Sequence, residues 1–275
     1  MKAERVFKEY EADEKGYSPD VNGITLMSGG NRLYGYVLTP DKRMPKPYPA
    51  VIVSHGFPGY ITNNDLEFAL MRAGCVVVHA NHRGAWGSEG NYFFTTLKDD
   101  LIAAAEWITE PETSSKYGID TDNIFLLGHS IGGMTVLNAA KDIPFVRGVI
   151  SLAACDIGAI FRYHWEEPFR DMVFNDGNCL TMTSADEVYQ DAVDHKDELD
   201  VLSRYELLAD SRVLFVEATF DTACPGEYMM KPLYQKLRET GADVEYEKIE
   251  SVHSFGGQRM KLAETVAGWI ERKMA

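Results

Sequence analysis

The 275-residue sequence has no run approaching the ~18 consecutive apolar residues that a membrane-spanning helix requires. Its opening stretch, MKAERVFKEYEADEKGY, is charged throughout and has no apolar segment of the kind a secretory signal carries, so none is expected. Cysteine is scarce. Cys75, Cys155, Cys179 and Cys224 are far apart, without CxxC or other metal-ligand spacing, and read as free thiols in a reducing cytoplasm. Basic residues are outnumbered 27 to 42 by acidic ones, and the formal charge of −15 would repel nucleic acid and anionic membrane alike. There is no Walker A pattern, no G-x-G-x-x-G, no internal repeat and no low-complexity segment. KDEL occurs only internally, at 196–199, where it cannot act as a retention tail.

What is present is the composition of a globular α/β protein, with 45% hydrophobic and 25% charged residues. GITLM (23–27) and RLYGYVLTP (32–40) flank the turn SGGN and read as an antiparallel pair. PAVIVSHG (49–56), CVVVHA (75–80), NIFLLG (123–128), VRGVISLAAC (146–155), SRVLFVEA (211–218) and VEYEKIE (244–250) read as six further strands, several of them continuously apolar as if buried on both faces. Helices are expected near 64–73, over 96–110 with apolar positions close to a 3.6 period, from Ile131, near 227–240 and over 257–273. The alternation predicts a mostly parallel, eight-stranded sheet with helices on both faces. One connection breaks the rhythm. More than fifty residues separate the strands ending near Cys155 and starting near Arg212, where about 10–15 would make a crossover. The chain therefore divides into a core of residues 1–155 and 211–275 and an inserted, mostly helical cap of residues 156–210, acidic and rich in aromatics.

Gly128-His129-Ser130-Ile131-Gly132 fits G-x-S-x-G, with an apolar strand before it and a helical pattern after it. Such a turn presents a strained serine at the carboxyl end of a sheet, and the following helix aims its unpaired N–H groups at the same place. Ser130 is the candidate nucleophile and the Ile131 N–H a candidate oxyanion donor. A serine needs a base and a group to orient that base. Of seven histidines, His253 stands between the last strand and the last helix, at the sheet edge expected for Ser130. His129 neighbours the serine in sequence, His55 sits in HGFPG, His79 and His82 follow another strand, and His164 and His195 lie in the cap. Asp221, in FVEATFDTACP, follows a strand and completes the order Ser130, Asp221, His253; Asp156 is the main rival acid and Glu217 a lesser one. SHGFPGY (54–60) offers the Phe57 N–H as a second oxyanion donor.

In order, HGFPG, NHRGAWGSEG (81–90), GHSIGG, FDTACP and VHSF resemble the oxyanion loop, arginine/glycine loop, nucleophile elbow, acid turn and histidine loop of the α/β-hydrolase superfamily. The resemblance covers nearly all of the chain outside the cap. It implies an α/β-hydrolase fold, a triad of Ser130, Asp221 and His253, and an oxyanion hole of Phe57 and Ile131. The 81–90 loop and the cap position resemble feruloyl- and cinnamoyl-type esterases, and also the catalytic domains of prolyl-oligopeptidase-type peptidases, whose propeller has no counterpart here.

The expected reaction is hydrolysis of a small-molecule carboxylic ester through an acyl-serine, with no cofactor and no metal. Phe161, Tyr163, Trp165 and Phe169, with His164 and Phe174 nearby, are dense enough to line an aromatic acyl pocket or to form the cap's own core. Three alternatives stay open: a peptidase or amidase, for which Glu166 and Glu167 could hold a substrate amine; a thioesterase; and a non-catalytic ligand-binding protein on the same scaffold. A homodimer is compatible with all of them.

Overall fold

The computed structural model describes residues 1–12, 14–60 and 63–274. Its elements run β1 (Asp20–Ser28), β2 (Asn31–Thr39), β3 (Tyr48–Ser54), α1 (Asn64–Ala73), β4 (Val76–Ala80), α2 (Leu97–Thr109), α3 (Pro111–Tyr117), β5 (Ile119–His129), α4 (Ile131–Ala139) and β6 (Val146–Leu152). They continue through α5 (Ile157–Arg162), α6 (Glu166–Asp176), α7 (Ala185–Asp194), α8 (Lys196–Leu199), β7 (Val213–Ala218), α9 (Gly226–Met229), α10 (Lys231–Thr240), β8 (Val244–Ile249) and α11 (Arg259–Met274). Short 3₁₀ turns join several of these.

Eight strands form one sheet in the order β1-β2-β4-β3-β5-β6-β7-β8. β2 runs antiparallel to β1 and β4, while β4, β3, β5, β6, β7 and β8 pair in parallel. This is the α/β-hydrolase architecture. Alternate residues of the central strands feed opposite faces, as the period of two requires. Ala50, Ile52, Ile124 and Leu126 enter the core beneath α2 and α4, whereas Val51, Val53, Phe125 and Leu127 enter the core beneath α1 and α11. The α11 stripe Leu262, Val266, Trp269 and Ile270 is fully buried against that second face. Among the described residues, no helix is long and apolar enough to cross a membrane.

One expected helix differs in detail, and one helix has no counterpart in the sequence pattern. The helix near 227–240 is broken at Met230 into α9 and α10, with Pro232 in the first turn of α10. α3 has a polar sequence, PETSSKY, with no apolar period; Pro111 at its first position and Gly118, left-handed at φ 69°, delimit it. Between β6 and β7 the chain forms α5 to α8, and Phe169, Val173, Val188 and Ala192 from these helices join the core on the α2/α4 side.

The turn from β5 into α4 is the tightest join in the sheet. A Cβ on Gly128 would land on the Gly132 carbonyl, and one on Gly132 would land on the Ser54 carbonyl of β3. Backbone on both sides leaves no room for relaxation. Gly128→Ala is therefore expected to lower unfolding free energy by about 1–3 kcal/mol or more, read from denaturant melts; an equally stable variant would show the join to be looser than described.

Candidate active site

Parallel strands bring their carboxyl ends to one rim, so the loops after β3, β5, β6, β7 and β8 meet there. Ser130, between β5 and α4, has φ 59° and ψ −124°, a conformation costly for a residue with a Cβ. Backbone hydrogen bonds on both sides hold it. Ser130 N–H donates to the Leu152 carbonyl (2.9 Å), and the Ser130 carbonyl accepts from Gly133 (2.8 Å) and Cys155 (3.0 Å).

Asp221 follows β7. Its Oδ1 accepts the N–H groups of Ala223 (2.9 Å) and Cys224 (2.8 Å), which leaves Oδ2 for His253. His253 Nδ1 donates to that oxygen at 2.7 Å, so the neutral ring has its free lone pair on Nε2. Burial opposes the charge on Asp221, yet the His253 hydrogen bond and charge and the two N–H groups outweigh it and hold the carboxyl below its usual value. Ser130 and His253 both line one cavity of about 520 Å³, within the range of small-molecule sites.

His129 has a part that its position in the sequence did not suggest. Its Nε2–H donates to the His253 carbonyl at 2.9 Å, and its ring lies 4.8 Å from the His253 ring. Burial, followed by the neighbouring His253, pushes its pKa down to about 3, so it stays neutral and props the histidine loop. Arg259 holds that loop from the other side, donating to the Ser254 carbonyl (3.0 Å), to Asn63 (3.0 Å) and to both oxygens of Asp65.

In the loop after β3, His55 fixes one peptide plane. Its Nδ1–H donates to the Gly56 carbonyl (2.8 Å), while its Nε2 accepts the His82 N–H (3.2 Å). Burial drives its pKa well below the ordinary imidazole value, so this tautomer persists. Carbonyl and N–H point in opposite directions across a trans peptide, so the Phe57 N–H is turned away from His55. Gly56 packs directly on Ser130. Among the described residues, neither the Phe57 nor the Ile131 N–H donates to a protein acceptor. Trp86 Nε1–H supports the loop by donating to the Pro58 carbonyl (3.0 Å), and Arg83, in the same 81–90 stretch, is held by Asp100 (2.7 Å).

The other candidates have separate partners. Asp156 caps α5 through the Gly158 N–H (3.1 Å). Glu217 accepts from the Tyr246 hydroxyl (2.7 Å) and pairs with Lys248. His79 pairs with Glu67 and His82 with Ser54 (both 2.9 Å), His195 donates to the Asp191 carbonyl, and the His164 side chain is 88% exposed. Of the aromatic set, Trp165 and Phe169 stand on the cavity wall. Phe161 packs against Phe169, and Tyr163 packs against Trp165 and Tyr228; neither lines the cavity. Phe174 lies beneath Arg170. The rest of the wall includes Ile160, Met172, Met229, Cys155 and Cys224, with Asp176 as its charged carboxylate.

Residues 45–198, more than half of the chain, match the family described as "Serine aminopeptidase, S33". The chain belongs to this α/β-hydrolase family. Dipeptidyl-peptidase 5 of Porphyromonas gingivalis is 30% identical over 121 residues, 39% of this chain and 17% of that protein, so the chain spans less than a fifth of this relative. Among solved structures, brefeldin A esterase, titled a bacterial homologue of human hormone-sensitive lipase, has a TM-score of 0.69 at 18% identity, over 98% of this chain and 81% of its own. Acylaminoacyl peptidase from Pyrococcus horikoshii gives 0.69 at 17%, over 93% and 42%. Est1E from Butyrivibrio proteoclasticus, also solved with ferulic acid bound, gives 0.65 at 14%, over 92% and 99%. These structural likenesses establish the shared fold.

Asp156 generates a pH prediction. Burial, then the nearby Asp200, pushes its carboxyl up from an ordinary 3.8 to about 7, against the opposing pull of Arg162. Between those values the folded chain holds a proton that the unfolded chain has released. Stability from this group is therefore full below pH ~4 and declines as pH rises toward ~7. Asp156→Asn keeps a cap acceptor and should flatten that decline in a melting-temperature series; an unchanged pH slope would contradict a protonated Asp156.

Proposed function

We propose that the cavity hydrolyses carboxylic esters through an acyl intermediate on Ser130. The observation that carries this reading is the Asp221–His253 hydrogen bond, which leaves His253 Nε2 as an acceptor on the same wall as Ser130. In the proposed reaction Nε2 takes the Ser130 proton as Oγ attacks the ester carbonyl. The Phe57 and Ile131 N–H groups receive the oxyanion, where preorganised donors act most strongly. The imidazolium, stabilised by Asp221, then protonates the leaving alcohol, and His253 activates water to release the acid. No step calls for a cofactor or metal.

Residues 156–210 act in this reading as a cap that selects the acyl group. Trp165 and Phe169 put two aromatic rings on the cavity wall that also carries Ser130, suited to an aromatic acid; the ferulic acid bound to Est1E supports that choice. Asp176 favours a second reading. Its carboxylate on the cavity wall could receive the amine of a short peptide, in keeping with the family description and with dipeptidyl-peptidase 5.

Ser130→Ala should lower turnover of a short aryl ester by roughly 10⁴-fold or more, abolish fluorophosphonate labelling and leave the melting temperature nearly unchanged. A folded, active Ser130→Ala protein would overturn the proposal. Across an acyl series, aromatic esters should exceed long aliphatic ones, and Trp165→Ala should lower kcat/KM for an aromatic acyl group by about tenfold more than for acetyl. A preference for long chains removes the aromatic pocket, and faster cleavage of aminoacyl arylamides than of esters selects the peptidase.

A further inference from the structure

The cavity wall holds two thiols that ester hydrolysis does not use. Cys155 follows β6 and Cys224 follows the Asp221 turn after β7, and these strands are paired neighbours. Both are free, and they are only 5% and 4% exposed, yet each faces the cavity. Cys155 and Ser130 are both near enough to Cys224 to act on its thiol, Cys155 raising its pKa and Ser130 lowering it. Their backbones are joined to the same machinery: Cys155 N–H donates to the Ser130 carbonyl at 3.0 Å, and Cys224 N–H donates to Asp221 Oδ1 at 2.8 Å. The other cysteines lie elsewhere. Cys75 is in the core on the opposite face of the sheet, and Cys179 is exposed, its Sγ directed at the Asp176 carbonyl.

Two thiols that follow neighbouring strands and open to one cavity form the arrangement of an attacking and a resolving cysteine. We infer that Cys155 and Cys224 are a modification site that small hydroperoxides oxidise to an intramolecular disulfide, closing the neighbouring hydrolytic site. The Cys155 interaction, and after it burial, raises the Cys224 thiol well above its ordinary value, and in the inferred sequence Cys155 makes the attack and Cys224 the resolving step. Cys155 sulfur displaces the distal oxygen of the peroxide; the O–O bond breaks, the alcohol or water leaves with the Cys155 proton, and a sulfenic acid remains. Cys224 sulfur then attacks that sulfur. The S–S bond forms, the S–O bond breaks, and water departs with the Cys224 proton. Two thiols are oxidised and one peroxide bond is reduced. Drawing Cys224 toward Cys155 moves its sulfur off Ser130 and pulls on the N–H that holds Asp221.

The test uses the full chain carrying Cys179→Ser, treated with hydrogen peroxide and analysed by intact mass and non-reducing peptide mapping, with aryl-ester turnover followed in parallel. The expected product is lighter by two hydrogens and has a link between the peptides bearing Cys155 and Cys224. Its turnover falls by at least about tenfold, as a displaced site group would cause, and returns with dithiothreitol. Cys155→Ala and Cys224→Ala, each compared with its own untreated rate, should show neither the mass change nor the reversible loss. Unchanged mass, oxygenated sulfur without a link, or a link through Cys75 would overturn the inference. Because mass and mapping do not depend on turnover, they decide it even if Ser130 hydrolyses no ester.

Discussion

Everything at the rim depends on one compressed join, the passage of the chain from β5 into α4. Gly128 and Gly132 let two backbones touch there, and Gly132 also touches β3. That contact forces Ser130 into positive φ, held by hydrogen bonds to Leu152, Gly133 and Cys155. The strain, of order 1–3 kcal/mol for such a residue, is tolerated because β3, β5 and β6 surround it with completed hydrogen bonds. Without the glycines the hydroxyl could not stand at the mouth of the cavity, and the neighbouring loops would have nothing to converge on.

Convergence comes from the parallel sheet, and support comes from neutral histidines. Burial keeps both His55 and His129 uncharged, and each spends its ring hydrogen on a backbone carbonyl. A charged imidazole in either place would cost desolvation energy and lose the acceptor nitrogen that His55 offers to His82. His253 differs from both: it is linked to a carboxylate and stands on the cavity wall. Three similar side chains within one rim therefore take distinct positions, set by how far each is buried and by what its nitrogens face.

The sheet was legible because its strands are short, apolar and punctuated, and because parallel pairing obliges residues that follow strands to gather at one edge. That rule, together with G-x-S-x-G and the order of the three residues, made Ser130, Asp221 and His253 the expected set. The rule reports where a loop begins and is silent about which way a side chain turns within it. So the bond from His129 to the His253 carbonyl, the Arg259 clamp and the meeting of Cys155 and Cys224 on one cavity wall left no pattern in the sequence. The same limit explains the aromatic residues of α5 and α6. Composition marked a dense group, but only the packing of the helices separates Trp165 and Phe169 on the wall from Phe161 and Tyr163, which do not line it. α3 escaped because a polar helix of seven residues has no period to detect; its Pro111 and Gly118 were its only punctuation.

The stretch of residues 156–210 lies between adjacent strands, β6 ending at Leu152 and β7 starting at Val213. It contributes Ile160, Trp165, Phe169, Met172 and Asp176 to the wall, while the hydrogen bonds around Ser130, Asp221 and His253 are made outside it. Walls and reactive groups are thus encoded in separate stretches of chain. Evolution can recut this stretch, lengthening or rewording it, and so fit a new compound without re-solving the geometry of the rim.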